Sequence, residues 1–318
     1  MTKVTKHENK EVWDDLVQSY RGHPLQLWGW GDVKAAHGWT VIRLQVGKGG
    51  AQIIIKRLPK PFGPLVYAPR GPFGDVLTRD HDREVLVNYV RSSLKPTLMS
   101  VEPDTTGRLA WSGWKESTNQ ILIPRTAVLD LTKTEDELMA GMSKKTRQYI
   151  RKSAGEGIDV VRATSLHDID ACLTIYKQTA RRAGFALHGD DYYHDIFTKL
   201  GDNSPVFMAK HDGKVVAFLW PVVTSEVAFE LYGGMNDDGQ RLRANYHLKW
   251  TVVTEMKHRG VTKYDVNGLL NDGVSAFKKG FISDETMLSG TYDKPMSVLY
   301  PIWATLLPTM KKVARRFR

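Results

Sequence analysis

The stretch Val206–Gly234, VFMAKHDGKVVAFLWPVVTSEVAFELYGG, carries the strongest fold signal in the chain. The dipeptide Asp212-Gly213 favours a tight hairpin turn, and apolar residues dominate the sequence on both sides of it. The pattern predicts strands over Val206–His211, Lys214–Val223 and Val227–Gly233. Strands joined this closely pair antiparallel, so the stretch predicts an antiparallel hairpin pair in one sheet.

The segments on either side of this stretch complete a domain. Before the hairpin pair, sequence patterns predict a strand at Ile158–Arg162 and helices at Leu166–Arg182 and Asp190–Leu200. After it, they predict a helix at Arg243–Arg259, a short strand at Lys263–Asp265 and a glycine-rich stretch up to Phe281. A hairpin pair that feeds a long helix and then a strand is the layout of a GNAT-type acyltransferase domain.

The residues that open the long helix test this interpretation. Coenzyme A-dependent GNAT domains hold the pyrophosphate on bare backbone amides of a glycine-rich loop at a helix N-terminus. Here the sequence Gly239–Asn245 reads GQRLRAN, and Arg243 occupies a glycine position. Its side chain obstructs the close backbone approach that the loop needs. We therefore expect the fold to be kept and the coenzyme A site to be lost.

The N-terminal half predicts a second unit of mixed structure. Residues 11–39 contain a helical pattern, a polar break and a second helical segment. Strands are predicted at Thr40–Gln45, Ala51–Arg57, Gly63–Tyr67 and Thr97–Glu102, with a helix at His81–Ser93 before the last of them. The length of 318 residues also favours two domains over one. The chain is therefore predicted to be α/β (α+β), with two domains.

The charge is concentrated in two places. Lysine and arginine number 45 against 35 aspartate and glutamate residues, which gives a formal net charge of +10. Two clusters of five cations account for this excess: Lys144, Lys145, Arg147, Arg151 and Lys152, and Lys311, Lys312, Arg315, Arg316 and Arg318. Concentrated positive charge favours a polyanion, either nucleic acid or an anionic membrane face, over a small neutral ligand. Both clusters are alternatively ordinary solvated helix faces.

Several classes of protein are disfavoured. The single cysteine, Cys172, excludes an internal disulfide and a thiolate zinc site. The N-terminus lacks the apolar core of a secretory signal. The longest apolar stretch, Val298–Leu307, is shorter than the roughly 20 residues of a spanning helix. The histidines show no paired metal-ligand spacing. We therefore expect a cytoplasmic protein without a metal or a resident cofactor.

Eight stretches together carry a family resemblance. They are Leu25–Lys34 with Gly38-Trp39, Pro69–Pro72, Val101–Asp104, Lys145–Lys152, Thr179–Phe185 with Tyr192-Tyr193, Leu231–Gly234, Tyr264–Gly268 and Phe277–Phe281. Each is weak alone, but in this order and spacing they cover nearly the whole chain. The sequence resembles the Fem family of peptidoglycan bridge aminoacyltransferases, the FemA, FemB and FemX type.

The resemblance implies a fold and an activity. The fold is two tandem GNAT-like acyltransferase domains with mixed, largely antiparallel sheets flanked by helices, over residues 1–155, completed by 297–318, and over 156–296. The activity is transfer of an amino acid from aminoacyl-tRNA to the stem peptide of a peptidoglycan precursor, lipid II or UDP-MurNAc-pentapeptide, which forms the interpeptide bridge. Larger members insert a helical arm, for which this sequence has no heptad stretch, so it resembles the short FemX type.

The resemblance also implies catalytic residues. Aminolysis of an activated ester needs positioning, a neutral amine and stabilisation of a tetrahedral oxyanion. By resemblance, Lys278 is the oxyanion partner, Phe277 packs against the terminal adenosine of tRNA, and Asp104 or Glu102 falls where a carboxylate base is expected. Without the resemblance, Phe277 is a core residue beside a surface lysine, and a strand-end acid is more often structural.

Binding residues are implied in the same way. The acceptor is assigned to Lys34, Thr179, Arg181 or Arg182, and Tyr232, because cations suit phosphate and carboxylate and tyrosine suits a sugar or peptide edge. The tRNA phosphates are assigned to Lys144, Lys145, Arg147, Arg151 and Lys152. Peripheral contact with the inner face of the membrane is a further expectation.

Two other functions stay open on the sequence alone. One is a GNAT-fold N-acyltransferase with another acyl donor. The other is a non-catalytic protein that binds nucleic acid or a membrane surface through its basic clusters. The residue transferred, the amine acylated and the oligomeric state are not encoded in any motif of the chain.

Overall fold

The computed structural model describes residues 3–270, 273–282 and 284–307. The chain divides into two compact units, the first made of Met1–Pro124 with Met287–Arg318 and the second of Arg125–Thr286. The second unit is therefore an insertion between two segments of the first. The predicted basic cluster at residues 311–318 lies outside the described residues.

The first unit mixes strands and short helices. Up to residue 124 it contains β1 Val4–Lys6, α1 Lys10–Ser19, α2 Trp28–Ala36, β2 Thr40–Val46, β3 Gly49–Lys56, β4 Leu65–Ala68, β5 Phe73–Gly74, α3 Asp75–Thr78, α4 Asp80–Leu94, β6 Leu98–Val101 and β7 Lys115–Glu116. Helix α4 buries Leu86, Val87 and Val90 in the core of this unit. These residues recur at helical spacing, which is why the segment forms an amphipathic helix.

The second unit carries the longer helices. It contains β8 Arg125–Thr126, β9 Val128–Asp130, α5 Glu135–Gly141, α6 Lys144–Ala154, β10 Ile158–Arg162, α7 Leu166–Ala183, α8 Asp190–Leu200, β11 Phe207–His211, β12 Lys214–Val223, β13 Val227–Met235, α9 Asp237–Leu242, α10 Ala244–His258, β14 Lys263–Asp265 and α11 Gly273–Phe281. Helix α7 begins at a capping box between Ser165 and Asp168 and ends at Gly184. Gly184 has a positive φ, a conformation that glycine adopts without steric cost.

Each unit has one large mixed sheet. The chain returns to the first unit through β15 Thr286–Met287 and β16 Tyr292–Pro295. The first sheet has the order β1-β2-β3-β4-β6-β16-β7, with only β4 and β6 parallel along this path. The second has the order β10-β11-β12-β13-β14-β9, with only β13 and β14 parallel. Both sheets are largely antiparallel, as predicted.

The boundary between the units differs from the predicted residue 155. Strand β9 pairs antiparallel with β14, which places Leu129 opposite Tyr264 in the second sheet. The second unit therefore starts at Arg125 and includes α5 and α6. The return to the first unit starts at Met287, before the predicted residue 297, because β16 pairs with β6 and β7.

Helix α10 covers the second sheet with an apolar face. Leu248, Val252, Val253 and Met256 of this helix are buried in the main core of the unit. Among the described residues, no helix is both long and apolar enough to cross a membrane.

Candidate active site

The parallel strands β13 and β14 separate at one end of the second sheet. Their ladder ends at Phe229 opposite Asp265, whereas β13 continues to Met235 paired only with β12. Beyond Asp265 the chain turns towards β9, and the backbone amide of Val266 donates to the carbonyl of Ala127. Polar side chains can enter the gap between the strands, because no backbone ladder closes it.

A buried cluster of charged and polar groups lies at this gap. Glu230 is 6% exposed and Lys249 is 1% exposed, and the Lys249 Nζ lies 2.5 Å from the Glu230 Oε1. The Tyr264 hydroxyl donates to the same oxygen at 2.9 Å. Burial and the neighbouring carboxylate raise the pKa of Tyr264 well above its ordinary value, so its phenol remains a donor. The cluster compensates a carboxylate that would otherwise be costly to bury.

Lys278 binds the turn that follows β14. Its Nζ donates to the carbonyl of Asn267 and, at 3.3 Å, to that of Gly268. Asn267 has a φ of +52°, its amide donates to Asp265 at 2.7 Å, and its side chain donates to the Glu230 carbonyl at 2.9 Å. The half-buried ammonium of Lys278 is thus held where the two strands separate.

Phe277 lies in an aromatic group beside this lysine. Its ring centroid lies 4.9 Å from that of Tyr246 and 5.3 Å from that of Phe281, and the Lys249 Nζ lies 5.4 Å from it. Lys279, one residue further along the helix, points elsewhere and forms an ion pair with Glu285 at 2.5 Å. The structure therefore brings Phe277 and Lys278 together with the buried Lys249–Glu230 pair.

Three of the predicted acceptor residues, Thr179, Arg181 and Arg182, lie on α7, which packs next to β13. Thr179 and Arg182 both donate to the carbonyl of Met235, at 3.3 Å and 3.0 Å. Both arginine side chains are exposed. Helix α7 approaches β13 closely, since a Cβ at Gly234 would lie 2.6 Å from the Thr179 hydroxyl. The geometry groups Thr179 with Arg182 and leaves the choice between the two arginines to experiment.

Tyr232 belongs to an aromatic cluster next to this pair. Its ring lies 5.2 Å from Tyr193, 5.5 Å from Tyr176 and 6.0 Å from Trp220. The pKa of Tyr232 is raised well above its ordinary value, mainly by desolvation and next by the electrostatic effect of Tyr192. The hydroxyl therefore stays protonated and can act as a hydrogen-bond donor.

Lys34 belongs to the first unit and has a perturbed ammonium group. Its Nζ lies 4.5 Å from the centre of the Trp30 ring. Burial lowers the pKa of Lys34 to about 8. An anionic ligand stabilises the charge of such a poorly solvated lysine more than that of a surface lysine, because the ligand replaces the solvation that burial has removed.

We expect Lys34→Met to stabilise the chain near pH 7 and to have less effect at higher pH. The folded-state pKa of about 8 lies below the value of 10.5 for the free side chain, so the unfolded chain binds more protons between these values. Wild-type stability relative to the variant therefore rises from pH 8 to pH 10.5. Melting temperatures of both proteins at pH 7, 9 and 10.5 measure this, and a constant difference across the range would contradict it.

The two candidate bases, also in the first unit, differ in environment. Glu102 is 2% exposed, and one of its oxygens accepts from the Leu122 amide at 2.8 Å and the Thr291 hydroxyl at 2.6 Å. The other oxygen accepts from the Tyr67 hydroxyl. Such a carboxylate serves the structure, which argues against Glu102 as a base. Asp104 is exposed in the turn after β6, so it is the more accessible of the two.

The basic helix α6 divides into structural and exposed cations. Arg147 donates to the carbonyls of Ala140 and, at 2.5 Å, Met142, and so completes the end of α5. The other four cations are exposed: Lys144, Lys145, Arg151 and Lys152. The start of α6 lies against α11, because the Ser143 amide donates to the Gly280 carbonyl at 2.9 Å. A Cβ at Gly280 would collide with the Thr146 hydroxyl, so this approach requires glycine.

The strand–helix junction lacks an open glycine-rich loop. The short helix α9 occupies it, and Arg243 links α9 to α10 with a φ of +55°. Gly239, which the sequence offers as a loop glycine, packs against the Val216 carbonyl. The Arg243 side chain lies over the ring of Tyr149, 4.3 Å from its centre.

Sequence reasoning missed Lys249, Glu230 and Tyr149. The signal for Lys249 was present, because it lies on the apolar stripe of α10 with Val252, Val253 and Met256. A lysine on a buried stripe requires a buried acid as partner. Only the fold shows that this acid is Glu230, which lies 19 residues earlier in the sequence.

Known relatives share sequence with this chain over different lengths. The lipid II:glycine glycyltransferase of Staphylococcus epidermidis is 28% identical over 229 residues, which cover 64% of this chain. The chain thus spans about half, 55%, of that relative. The lipid II:glycine glycyltransferase of Staphylococcus aureus is 21% identical over an alignment of 406 residues that covers 96% of both proteins.

Solved structures and a family model complete the comparison. The crystal structure of FemX superposes with a TM-score of 0.84 at 19% identity, covering 96% of this chain and 99% of FemX. A tandem GNAT protein from the clavulanic acid biosynthesis pathway superposes with a TM-score of 0.51 at 12% identity, covering 93% and 99%. These likenesses confirm the predicted fold class. The FemAB family model matches residues 107–217 and 210–307, so the chain belongs to the FemAB family, as its sequence motifs predicted.

Proposed function

We propose that this chain is an aminoacyl-tRNA-dependent aminoacyltransferase that adds an amino acid to the stem peptide of a peptidoglycan precursor and so builds the interpeptide bridge. Membership of the FemAB family supports this class of enzyme. The names of the staphylococcal relatives support a lipid II-type acceptor and an amino acid as the group transferred.

One observation carries the proposal: a lysine is fixed where β13 and β14 separate. Lys278 donates to two backbone carbonyls and directly follows Phe277, and both residues lie in a stretch that resembles the Fem family. An ammonium fixed in this way provides a localised positive charge at low reorganisation cost. Such a group suits a reaction in which negative charge develops on one oxygen atom.

The reaction needs no covalent enzyme intermediate. The neutral amine of the acceptor attacks the carbonyl carbon of the aminoacyl ester, and the carbonyl oxygen becomes an oxyanion beside Lys278. The attack forms the C–N bond, and collapse of the tetrahedral species restores the carbonyl and breaks the ester C–O bond. The amine loses a proton and the ribose oxygen of the departing tRNA gains one, so the step is balanced. Asp104 is the proposed base that accepts the amine proton.

Acceptor and donor engage different groups in this proposal. Thr179, Tyr232 and one of the arginines at 181 and 182 bind the acceptor, and Lys34 adds a cation for its phosphate or carboxylate. The exposed cations of α6 bind tRNA phosphates. Because aminoacyl-tRNA is a cytoplasmic substrate, the reaction takes place in the cytoplasm, with peripheral contact at the inner membrane face when the acceptor is lipid-linked.

The test supplies purified protein with a total aminoacyl-tRNA pool and either UDP-MurNAc-pentapeptide or lipid II in detergent. The mass of the acceptor is then measured. We expect an increase equal to one or more amino-acid residues, abolished when the pool is treated with RNase. The mass names the amino acid, and the reactive acceptor decides between the soluble and lipid-linked forms. No increase with either acceptor, together with transfer from acetyl-CoA to an amine, would replace the proposal with that of a different N-acyltransferase.

A further inference from the structure

Four side chains of the second unit form a continuous strip that reaches the candidate active site. We call Arg243, Tyr149, Tyr246 and Phe277 the aromatic strip. The Arg243 guanidinium carbon lies 4.3 Å from the centre of the Tyr149 ring, Tyr149 lies 5.1 Å from Tyr246, and Tyr246 lies 4.9 Å from Phe277. The strip therefore connects a cation directly to the residue that precedes Lys278.

The guanidinium at the end of the strip is held on a ring rather than by an acid. Within residues 3–270, 273–282 and 284–307, Arg243 has no side-chain hydrogen bond and no ion pair with a carboxylate. Stacking on Tyr149 fixes the plane of the guanidinium and leaves its N–H edges available. A planar fork of donors matches the oxygens of a phosphate group.

The neighbouring charges have the same sign. The Lys145 Nζ lies 5.6 Å from the centre of the same Tyr149 ring, and Lys144 and Lys145 are exposed in the first turn of α6. No acidic residue occupies that turn. Positive side chains there oppose the helix dipole, so a bound anion would relieve repulsion that the free protein retains.

The place of Arg243 in the fold adds to this argument. Arg243 joins α9 to α10, and α9 directly follows β13. At this strand–helix junction a coenzyme A-dependent domain holds a pyrophosphate on backbone amides. Here α9 occupies the loop, and a long cationic side chain stands in place of a glycine. The junction can still receive a phosphate, but through a side chain and further from the backbone.

We propose that Arg243, seated on Tyr149, binds the phosphodiester of the 3′-terminal nucleotides of the aminoacyl-tRNA and so sets the distance between the ester and Lys278. This inference rests on the proposed function, since it specifies how the donor of that reaction is held. Arg243 is a binding residue for the part of the donor that every tRNA shares. It therefore contributes to affinity for all aminoacyl-tRNAs and not to the choice of amino acid.

The experiment compares two donors that differ in one phosphodiester. Aminoacyl-CpA contains the terminal phosphodiester and aminoacyl-adenosine lacks it; both carry the amino acid that the tRNA pool identifies. The main variant is Arg243→Gly, because glycine adopts the positive φ of this position without strain. Arg241→Met is the matched control, since Arg241 lies in α9 and forms an exposed ion pair with Asp238 at 3.1 Å.

We expect Arg243→Gly to lower kcat/KM for aminoacyl-CpA about tenfold and to leave aminoacyl-adenosine unchanged. Arg243→Lys should retain part of the rate with aminoacyl-CpA, and Arg241→Met should match the wild type with both donors. An equal loss with both donors, or no loss with either, would overturn the inference.

A binding measurement separates this inference from the proposed function. The fluorescence anisotropy of a labelled CCA trinucleotide reports its affinity without any transfer. We expect Arg243→Gly to weaken this affinity about tenfold and Arg241→Met to leave it unchanged. If the wild type transfers no amino acid but Arg243→Gly still weakens binding, the proposed function fails and the phosphate site stands. If transfer is normal and Arg243→Gly changes neither affinity nor rate, the site fails and the function stands.

Discussion

Replacing Lys278 with alanine is expected to lower kcat/KM for aminoacyl transfer by about 10²- to 10³-fold. The change removes the ammonium that stabilises the proposed oxyanion, which exists only in and near the transition state. The loss should therefore appear mainly in kcat, with little change in the KM of either substrate. Initial rates at varied donor and acceptor concentrations separate the two effects.

Lys279→Ala is the matched control for this prediction. Lys279 is the next residue of α11, but it pairs with Glu285 and not with the turn after β14. We expect its removal to change kcat less than threefold, as for an ordinary surface ion pair. Small alkylammonium ions should restore part of the rate of Lys278→Ala by occupying the vacated space. Full activity in Lys278→Ala would exclude the lysine from the chemistry.

Breaking the buried Lys249–Glu230 pair should have the largest effect on stability. Lys249→Met leaves the Glu230 carboxylate buried without its cation, at a cost of about 3–5 kcal/mol. For a unit of this size that cost lowers the melting temperature of the second unit by roughly 10 °C. Calorimetry measures this change in melting temperature. We also expect the variant to lose aminoacyltransferase activity, because Lys249 lies against the Phe277 ring and its replacement displaces that ring.

The double variant Glu230→Gln with Lys249→Met tests the cause. A neutral amide can still accept the Tyr264 hydroxyl and needs no cation, so most of the lost stability should return. Lys263→Met is a suitable control, because Lys263 forms an exposed ion pair with Glu226 at 3.0 Å. It should cost less than about 1 kcal/mol. A double variant no more stable than Lys249→Met alone would show that the two residues are not coupled.

Local sequence pattern predicted the central elements of the second unit well. The predicted strand Lys214–Val223 and the predicted helix Arg243–Arg259 correspond to β12 and to α10, Ala244–His258. Their signals are the Asp212-Gly213 turn and an apolar stripe, both of which act over a few residues. The family resemblance added Phe277 and Lys278, which no spacing argument alone would have selected.

Long-range pairing was beyond the sequence pattern. Strand β9 is three residues long and pairs with β14, more than 130 residues later, so nothing near Val128 indicates the partner. For this reason the second unit starts at Arg125 and not after the predicted residue 155. The contact between Lys249 and Glu230 has the same origin, since the separation of β13 from β14 decides which acid a buried lysine meets.

The position of β16 governs the order in which the chain can fold during synthesis. This strand fits between β6 and β7, but the ribosome makes it only after the whole of Arg125–Thr286. The inserted unit is continuous in sequence and can reach its native state first. Until β16 is synthesised, the edge of β6 that pairs with it has no hydrogen-bonding partner. An unpaired strand edge of this kind can pair with another nascent chain. Loss of the last 30 or so residues would therefore harm the part of the protein made first.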